Sequence, residues 1–515
     1  MTIIGGLIKQ GTKIGYTLST LKNKRQENKP YFVLPAANQS KTLKELLCHS
    51  KNTDFGKHYR FETLVKASDF ISEFQKEVPL YNYEKFKTNW LDKVLKGQPN
   101  VIYPGKIQHF ALTSGTSSGS SKKVPVSQEM IKQFQRTAVQ QIISLHELAL
   151  PAKFYNTSLL SIGGSTALTK QTHYFEGDLS GILQKYRSKV FQPFHKPSPN
   201  IAAIPSWDDK LLAIVEKAPQ WDIGVIAGVP SWVTMVIERI LHHYKVKSIH
   251  EIWPNLEIYL HGGIFIDNYK ERIMQHCDRP LHFINTYLTS EGYFGYQKYP
   301  FENGMRLLTN HGVFYEFIPA KYVNQINNGD LENIPTLSVR EIQPNTSYAL
   351  VVTTCSGIWR YIMGDVIQFS DVDKLIFNIE GRINHNLNLA GEHLSMENMT
   401  TAIRRVSEKM QTNVEEFCAV GSKQLNRHYW YVGSQKRIDE SLFAVYLDEE
   451  LQLLNDDYKT MRSYLIKQPR VKSLPLEKFY SFLALKGKLG GQHKFPRVLN
   501  QKQRKEWETF LSYSD

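Results

Sequence analysis

The sequence predicts an α/β fold: a large N-terminal α/β domain with an added β-rich subdomain, then a small mobile C-terminal α+β domain. Three observations carry this expectation. Strand-like and helix-like segments alternate through roughly the first 300 residues, which is the pattern of α/β proteins. From about 310 to 380 the segments turn β-rich and helices become scarce. Beyond the Gly381-Arg382 pair the order reads α-β-β-α-β. A chain of 515 residues is too long for a single core, so two domains are expected, 1–385 and 386–515.

Residues 35–90 show helical periods broken by polar turns. Val101–Tyr103 and His109–Leu112 read as extended, and Gln128–Leu150 as a helix. Val225–Ala227 runs into a Gly228-Val229-Pro230 turn, with a helix from Ser231 to His243. Leu256–Leu260 and His282–Asn285 are short apolar runs, expected as buried strands. Val313–Ile318, Ser347–Thr353 and Asp365–Phe369 are β-rich, and are expected to form a smaller antiparallel sheet or barrel packed on the α/β part. In the last domain, Met396–Lys409 reads as helix, Val414–Val420 and Tyr429–Gly433 as strands, Glu449–Leu465 as helix and Phe479–Leu485 as strand. Glycines and short polar residues between Gly381 and Glu392 suit a hinge.

Composition narrows the class. The 63 Lys and Arg exceed the 49 Asp and Glu, for a formal charge of +14. The basic residues are scattered, and no nucleic-acid motif accompanies them. The charge therefore reads as solvated surface plus whatever holds an anionic substrate, with no nucleic-acid partner. Cys48, Cys277, Cys355 and Cys418 are far apart and form no C-x-x-C pair. That argues against a disulfide framework or a structural zinc, and for a reducing cytoplasm. Met1–Leu18 has no charged residue ahead of its apolar ones, and Lys9 and Lys13 interrupt it. It reads as an amphipathic helix resting on the body, with a membrane surface as the alternative, and not as a signal peptide or a spanning helix. No apolar run of spanning length occurs elsewhere.

Three motifs carry chemistry. The first is Thr113-Ser114-Gly115-Thr116-Ser117-Ser118-Gly119-Ser120-Ser121-Lys122. Glycines let backbone N–H groups turn toward an anion, hydroxyls donate further hydrogen bonds, and Lys122 adds charge; these are the parts of a phosphate cradle. It is not a Walker loop, which needs Gly directly before Lys. Gly115 to Gly119 also matches the G-x-S-x-G nucleophile elbow, with Ser117 as nucleophile and His261-Gly262-Gly263 as a superficial oxyanion motif. An elbow must enter a helix at once, whereas Val124-Pro125-Val126 reads as extended. The second motif, Tyr287-Leu288-Thr289-Ser290-Glu291, comes after a buried strand, where ligand loops of α/β folds sit. There an aromatic can stack on a base, and a carboxylate can hold Mg²⁺. The third is Arg360-Tyr361-Ile362-Met363-Gly364-Asp365, whose aspartate can accept from both hydroxyls of a ribose. Taken singly, Tyr287 suits core packing, Glu291 a surface charge and Asp365 an ordinary turn.

Together and in this order the motifs resemble the adenylate-forming superfamily of acyl-CoA synthetases, adenylation domains and luciferases. The sequence is most similar to one branch, the Gretchen Hagen (auxin-responsive promoter) family of acyl acid–amido synthetases. Thr113 to Pro125, Tyr287 to Gly295, Tyr315-Glu316-Phe317-Ile318-Pro319 and Arg360 to Asp365 carry the resemblance. So do Thr53-Asp54-Phe55-Gly56-Lys57 and Val78-Pro79-Leu80 with Tyr83-Glu84. It implies an ATP-dependent ligase that makes an acyl-adenylate and passes the acyl group to an amine, an amino acid. Coenzyme A as acceptor is the alternative, and an α/β-hydrolase a lesser one.

The resemblance also implies roles. Thr113, Ser114, Gly115, Thr116, Ser117, Gly119 and Lys122 would hold ATP phosphates. Tyr287, with Ser290 beside it, would meet adenine, and Glu291 would serve Mg²⁺. Asp365 and Arg382 would meet the ribose. Lys494, in Gly490-Gly491-Gln492-His493-Lys494-Phe495-Pro496-Arg497, would stabilise charge during adenylation, with Lys486 and Lys488 as nearby rivals. Two positions depart from plant members: Ile362 stands at an arginine position, and Gln141 falls where some have an arginine that meets the acid's carboxylate.

Overall fold

The structure is a computed structural model. It describes residues 33–113, 122–187, 192–263, 266–299, 302–327, 329–383, 394, 396–422, 425–486, 495–499 and 501–512. The chain divides into two compact units. The first holds 1–264, 272–363 and 367–378; the second holds 265–271, 364–366 and 379–515.

An eleven-stranded sheet runs through the first unit. Its parallel half is ordered His195–Lys196, Ser158–Ser161, Ile223–Gly228, Ile258–Gly262, His282–Thr289. Parallel neighbours need crossover connections, and the helices Trp207–Lys217 and Pro230–Tyr244 lie between successive strands. Pro230 sits at the first helical position, where its missing N–H costs nothing, and Trp232, Val233, Val236, Ile237 and Ile240 bury one face. The parallel strands all end on one side of the sheet, at Ser161, Gly228, Gly262 and Thr289.

The other half of the sheet is largely antiparallel. After Ser290-Glu291 the chain returns as Gly292–Tyr296 against His282–Thr289. Met305–Leu307, Ile376–Arg382, Tyr361–Asp371, Ser347–Thr354 and Val313–Pro319 continue the order. The β-rich segment therefore extends the parallel sheet and does not pack on it as a separate sheet or barrel. The hairpin at Ser290-Glu291 is the reason. It carries the backbone ladder directly from one half into the other and leaves no open edge there. Val101–Tyr103 is likewise no strand: the Val101 carbonyl accepts from Phe55 N and the Ile102 carbonyl from Trp359 Nε1.

A smaller sheet orders Lys122–Val126, His109–Thr113, Phe175–Gly177 and Thr169–Lys170. The first two strands are antiparallel.

The second unit has a three-stranded sheet with Arg427–Ser434 at its centre, antiparallel to Glu416–Ser422 and parallel to Lys467–Pro475. Successive residues of a strand face opposite sides. Phe417 and Ala419 join the core with Met399, Ile403 and Val406; Cys418 and Val420 join Phe479, Phe482 and Trp507. Two expectations change here. Phe479–Leu485 belongs to a helix, Leu476–Leu485, which buries Phe479, Phe482 and Leu483 at helical spacing, and the third strand is Lys467–Pro475. The single helix expected over Glu449–Leu465 is two, Glu440–Leu454 and Asp456–Tyr464, because the Asn455 side chain caps the second. No described helix is long and apolar enough to cross a membrane.

Candidate functional site

The strand His109–Thr113 ends where the Ser/Gly loop begins, and the chain resumes at once as Lys122–Val126. Thr113 and Lys122 are cross-strand partners. The loop is therefore the connection of an antiparallel hairpin. Ser114, Gly115, Thr116, Ser117 and Gly119 lie outside the described residues, but both ends of their loop are pinned. Lys123 N donates to the Tyr83 hydroxyl at 2.8 Å, and Lys122 Nζ lies 5.2 Å from the Tyr83 ring centre. Lys123 Nζ pairs with Glu176 at 2.7 Å. A nucleophile elbow is a strand–turn–helix; here strand succeeds strand, so this geometry does not build the hydrolase site.

Ser127 then caps the helix Gln128–Ser144, accepting from Met130 N at 3.1 Å. Its hydroxyl donates to the Cys355 carbonyl at 3.0 Å, and its N–H donates to Ser356 Oγ at 3.0 Å. The turn it meets requires glycine at 357: φ is +83°, and a Cβ there would stand 2.5 Å from the Ile102 carbonyl oxygen. The hairpin and the turn before Arg360 are thus locked together.

Ser290 and Glu291 form the two-residue turn between the paired residues Thr289 and Gly292. Glu291 N donates to Thr289 Oγ1 at 3.2 Å. The Glu291 side chain lines a cleft with Tyr83, Phe86, Lys123, Pro125, Ile358 and Tyr361. The second motif therefore does meet the strand that leaves the Ser/Gly loop. Ser290 is buried in the same turn. Tyr287 is 4% exposed, with Phe294 edge-on at 5.1 Å and Phe377 at 5.8 Å. Most of its ring is committed to the sheet core.

Sequence reasoning missed how two motifs hold each other. Arg360 Nη2 and Glu316 Oε1 are 2.8 Å apart, with the side chains only 5% and 1% exposed. Arg360 also donates to the Gln75 and Val78 carbonyls and to Thr336 Oγ1. Its backbone carbonyl accepts from Tyr81 N, and Ile362 N donates to the Tyr81 carbonyl, both at 2.9 Å. The Val78-Pro79-Leu80 segment is thus a strap between the Arg360 turn and, through Tyr83, the Thr113–Lys122 hairpin.

The remaining candidates are grouped with the second unit. Asp365 is 4% exposed and comes after Gly364, whose φ of +85° demands glycine and beside which a Cβ would meet nothing within 4 Å. Arg382 ends the strand Ile376–Arg382, and its side chain lies outside the described residues. Lys494 and Lys488 also lie outside them. The residues after Lys494 are firmly held. Phe495 packs on Phe479 and Trp507 at 4.8 and 4.9 Å, and Arg497 pairs with Glu416 at 2.5 Å. Ala419 N donates to the Arg497 carbonyl at 2.7 Å. Lys486 is engaged elsewhere, 2.9 Å from Glu506.

Family models match along most of this architecture: the GH3 family N-terminal domain over 33–212, the central domain over 306–376 and the C-terminal domain over 397–503. The chain belongs to the GH3 family. It is 20% identical to an indole-3-acetic acid-amido synthetase of Arabidopsis thaliana, over 65% of this chain and 71% of that one. It is 23% identical to a 4-substituted benzoates-glutamate ligase of the same plant, over 64% and 65%. Among solved structures, a GH3 acyl acid amido synthetase matches with TM-score 0.75 at 15% identity, over 92% of this chain and 93% of that one. A 2-hydroxyisobutyryl-CoA ligase matches with TM-score 0.60 at 12% identity, over 92% and 91%. At such identities the structures establish a shared fold.

Against the family pattern, Gln141 stands buried on the Gln128–Ser144 helix. Tyr293 Oη donates to its Oε1 at 2.8 Å, and its Nε2 is buried without a hydrogen-bond partner. A neutral amide thus occupies a place where the resemblance puts a cation in some plant members. Another cation went unnoticed in the sequence. Arg187 is half-buried, with Nη1 unpartnered. The available signal was compositional: residues 179–207 contain no Asp or Glu.

Proposed function

We propose that the chain is an ATP-dependent acyl acid–amido synthetase: it converts a carboxylic acid to its acyl-adenylate and transfers the acyl group to the amine of an amino acid. The observation that carries this reading is that the strand leaving the Thr113–Lys122 hairpin lines one small cleft with Glu291, through Lys123, Val124 and Pro125, in a chain whose named relatives include an indole-3-acetic acid-amido synthetase and a benzoates-glutamate ligase. A hairpin loop of glycines and hydroxyls is a cradle for phosphates. In that role Ser114, Thr116 and Ser117 would donate through their hydroxyls, Gly115 and Gly119 through backbone N–H groups, and Lys122 would add charge.

Glu291 suits Mg²⁺, which takes one or two carboxylates together with substrate phosphates; the bound ion would offset charge on ATP. Tyr287 and Ser290 border the adenine, Asp365 and Arg382 take the ribose hydroxyls, and Lys494 approaches the reacting carboxylate and α-phosphate. Catalysis of the first half-reaction is then positioning and charge stabilisation. In the second, the amine attacks the acyl carbonyl and AMP leaves. Unpaired Cys48, Cys277, Cys355 and Cys418 suit a cytoplasmic enzyme.

The test incubates the protein with ATP, Mg²⁺ and an acid library and tracks pyrophosphate. Acid-dependent release is expected, then AMP and amide once an amino acid is added. Glu291→Gln should lower that release roughly 10- to 100-fold at limiting Mg²⁺. No acid-dependent pyrophosphate would refute the reading, and product formation with coenzyme A alone would reassign the acceptor.

A further inference from the structure

Ligands of open α/β sheets bind beyond the carboxyl ends of the parallel strands. Here that row runs Thr289, Gly262, Gly228, Ser161, with His195–Lys196 at the edge. Strand spacing puts Ser161 roughly 14 Å along the row from Thr289, the residue that precedes the Ser290-Glu291 turn. Two contacts mark the far end. Gln184 Nε2 donates to Ser161 Oγ at 3.4 Å, and Arg187 Nη2 reaches the Pro197 carbonyl at 3.5 Å, just past the edge strand.

Among the described residues, no carboxylate pairs with the Arg187 guanidinium. Its Nη1 is buried and has no hydrogen-bond partner, and its other contact is long. No carboxylate occurs from 179 to 207, whereas Lys185, Lys189, His195 and Lys196 do. Burial lowers the Arg187 pKa. Burial, and then the charge of Arg187, push His195 down to about 4, so that ring is neutral at physiological pH and adds no charge of its own. Holding a guanidinium N–H dry and unpaired is costly. The forked donors of a guanidinium match a carboxylate.

The chemistry of the proposed reaction selects which carboxylate. That of the acyl acid is consumed as the adenylate forms. That of an amino-acid acceptor persists through the whole reaction and needs a standing partner. We propose that Arg187 binds the carboxylate of the amino-acid acceptor; this inference rests on the amido synthetase reading. Arg187 is then a specificity residue, separating amino acids from simple amines and from amino-acid amides.

The test titrates the twenty L-amino acids and the matching amino-acid amides into the full-length protein by calorimetry. At least one amino acid should bind, and its amide should bind at least roughly tenfold more weakly. Arg187→Gln should weaken the amino acid about 10- to 100-fold, to the level of the amide, with amide affinity unchanged. Arg187→Lys should fall between. Acid-dependent pyrophosphate release, measured with an acid from the library above, should stay at the wild-type level in both variants. The inference is overturned if no amino acid binds, if amide and amino acid bind alike, if Arg187→Gln leaves affinity unchanged, or if it removes pyrophosphate release in parallel. Absence of pyrophosphate release from the wild type would instead count against the ligase reading, and the binding comparison reports on Arg187 separately.

Discussion

Arg360 and Glu316 stand 44 positions apart, and each belongs to a motif that is legible in the sequence. Their pairing is not, because a buried ion pair leaves no periodicity. Breaking such a pair by removing one partner strands a charge in the interior, so both residues are structural supports for the site. His311 is a second case that only the structure reveals. It is 5% exposed, with Nε2 2.9 Å from Gln140 Oε1 and Nδ1 buried without a partner. Burial first, and then Arg136, push it down to about 4. The unfolded chain takes up this proton near pH 6.5 and the folded chain only near 4. Between those values the unfolded state binds more protons, so stability is full above about 6.5 and is lost as pH falls through the window. The loss is up to about 3 kcal/mol. His311→Gln should flatten that part of the stability profile, read as urea midpoints at about pH 7 and about pH 4.5. An unchanged slope would mean that other groups, such as His195, carry the whole effect.

At the scale of elements, the phosphate hairpin is readable because Val124-Pro125-Val126 cannot enter a helix directly: Pro125 pushes the residue before it out of the helical region. Phe479–Leu485 misleads for a different reason. A short apolar run fits a buried strand and a buried helix equally; the decision lies in Lys467–Pro475, whose alternating burial fills the third strand position. The extent of the large sheet is hidden because strand pairing depends on a two-residue turn, and Ser290-Glu291 resembles any polar pair. On the proposed reading, Ser117 is one donor among several. Ser117→Ala should therefore slow pyrophosphate release only about tenfold, from a loss of about 1–1.5 kcal/mol. A nucleophile would lose several orders of magnitude. A covalent adduct at Ser117 with a fluorophosphonate probe would contradict the hairpin argument.

At the scale of the whole molecule, the residues proposed for the first half-reaction fall in both units: the Ser/Gly hairpin and Glu291 belong to the first and Lys494 to the second. A lysine used for one half-reaction only must be delivered and withdrawn, and rotation of a unit does this without remodelling either core. Phe495 is fixed in an aromatic cluster and Arg497 is held by Glu416, so the residues after Lys494 move with their sheet. Its rival Lys486 is paired with Glu506 at the surface. On this proposal the glycines and short polar residues from 381 to 392 serve as the hinge. Lys494→Ala should therefore lower acyl-adenylate formation roughly 10²–10³-fold, the scale for losing a charge stabiliser in a dry site. Transfer from a supplied acyl-adenylate should stay near wild type, and Lys486→Ala and Lys488→Ala should do much less. The two half-reactions are measured separately for all three variants. Equal damage to both halves by Lys494→Ala would refute the rotation, because a lysine that never leaves the site would be felt in both steps.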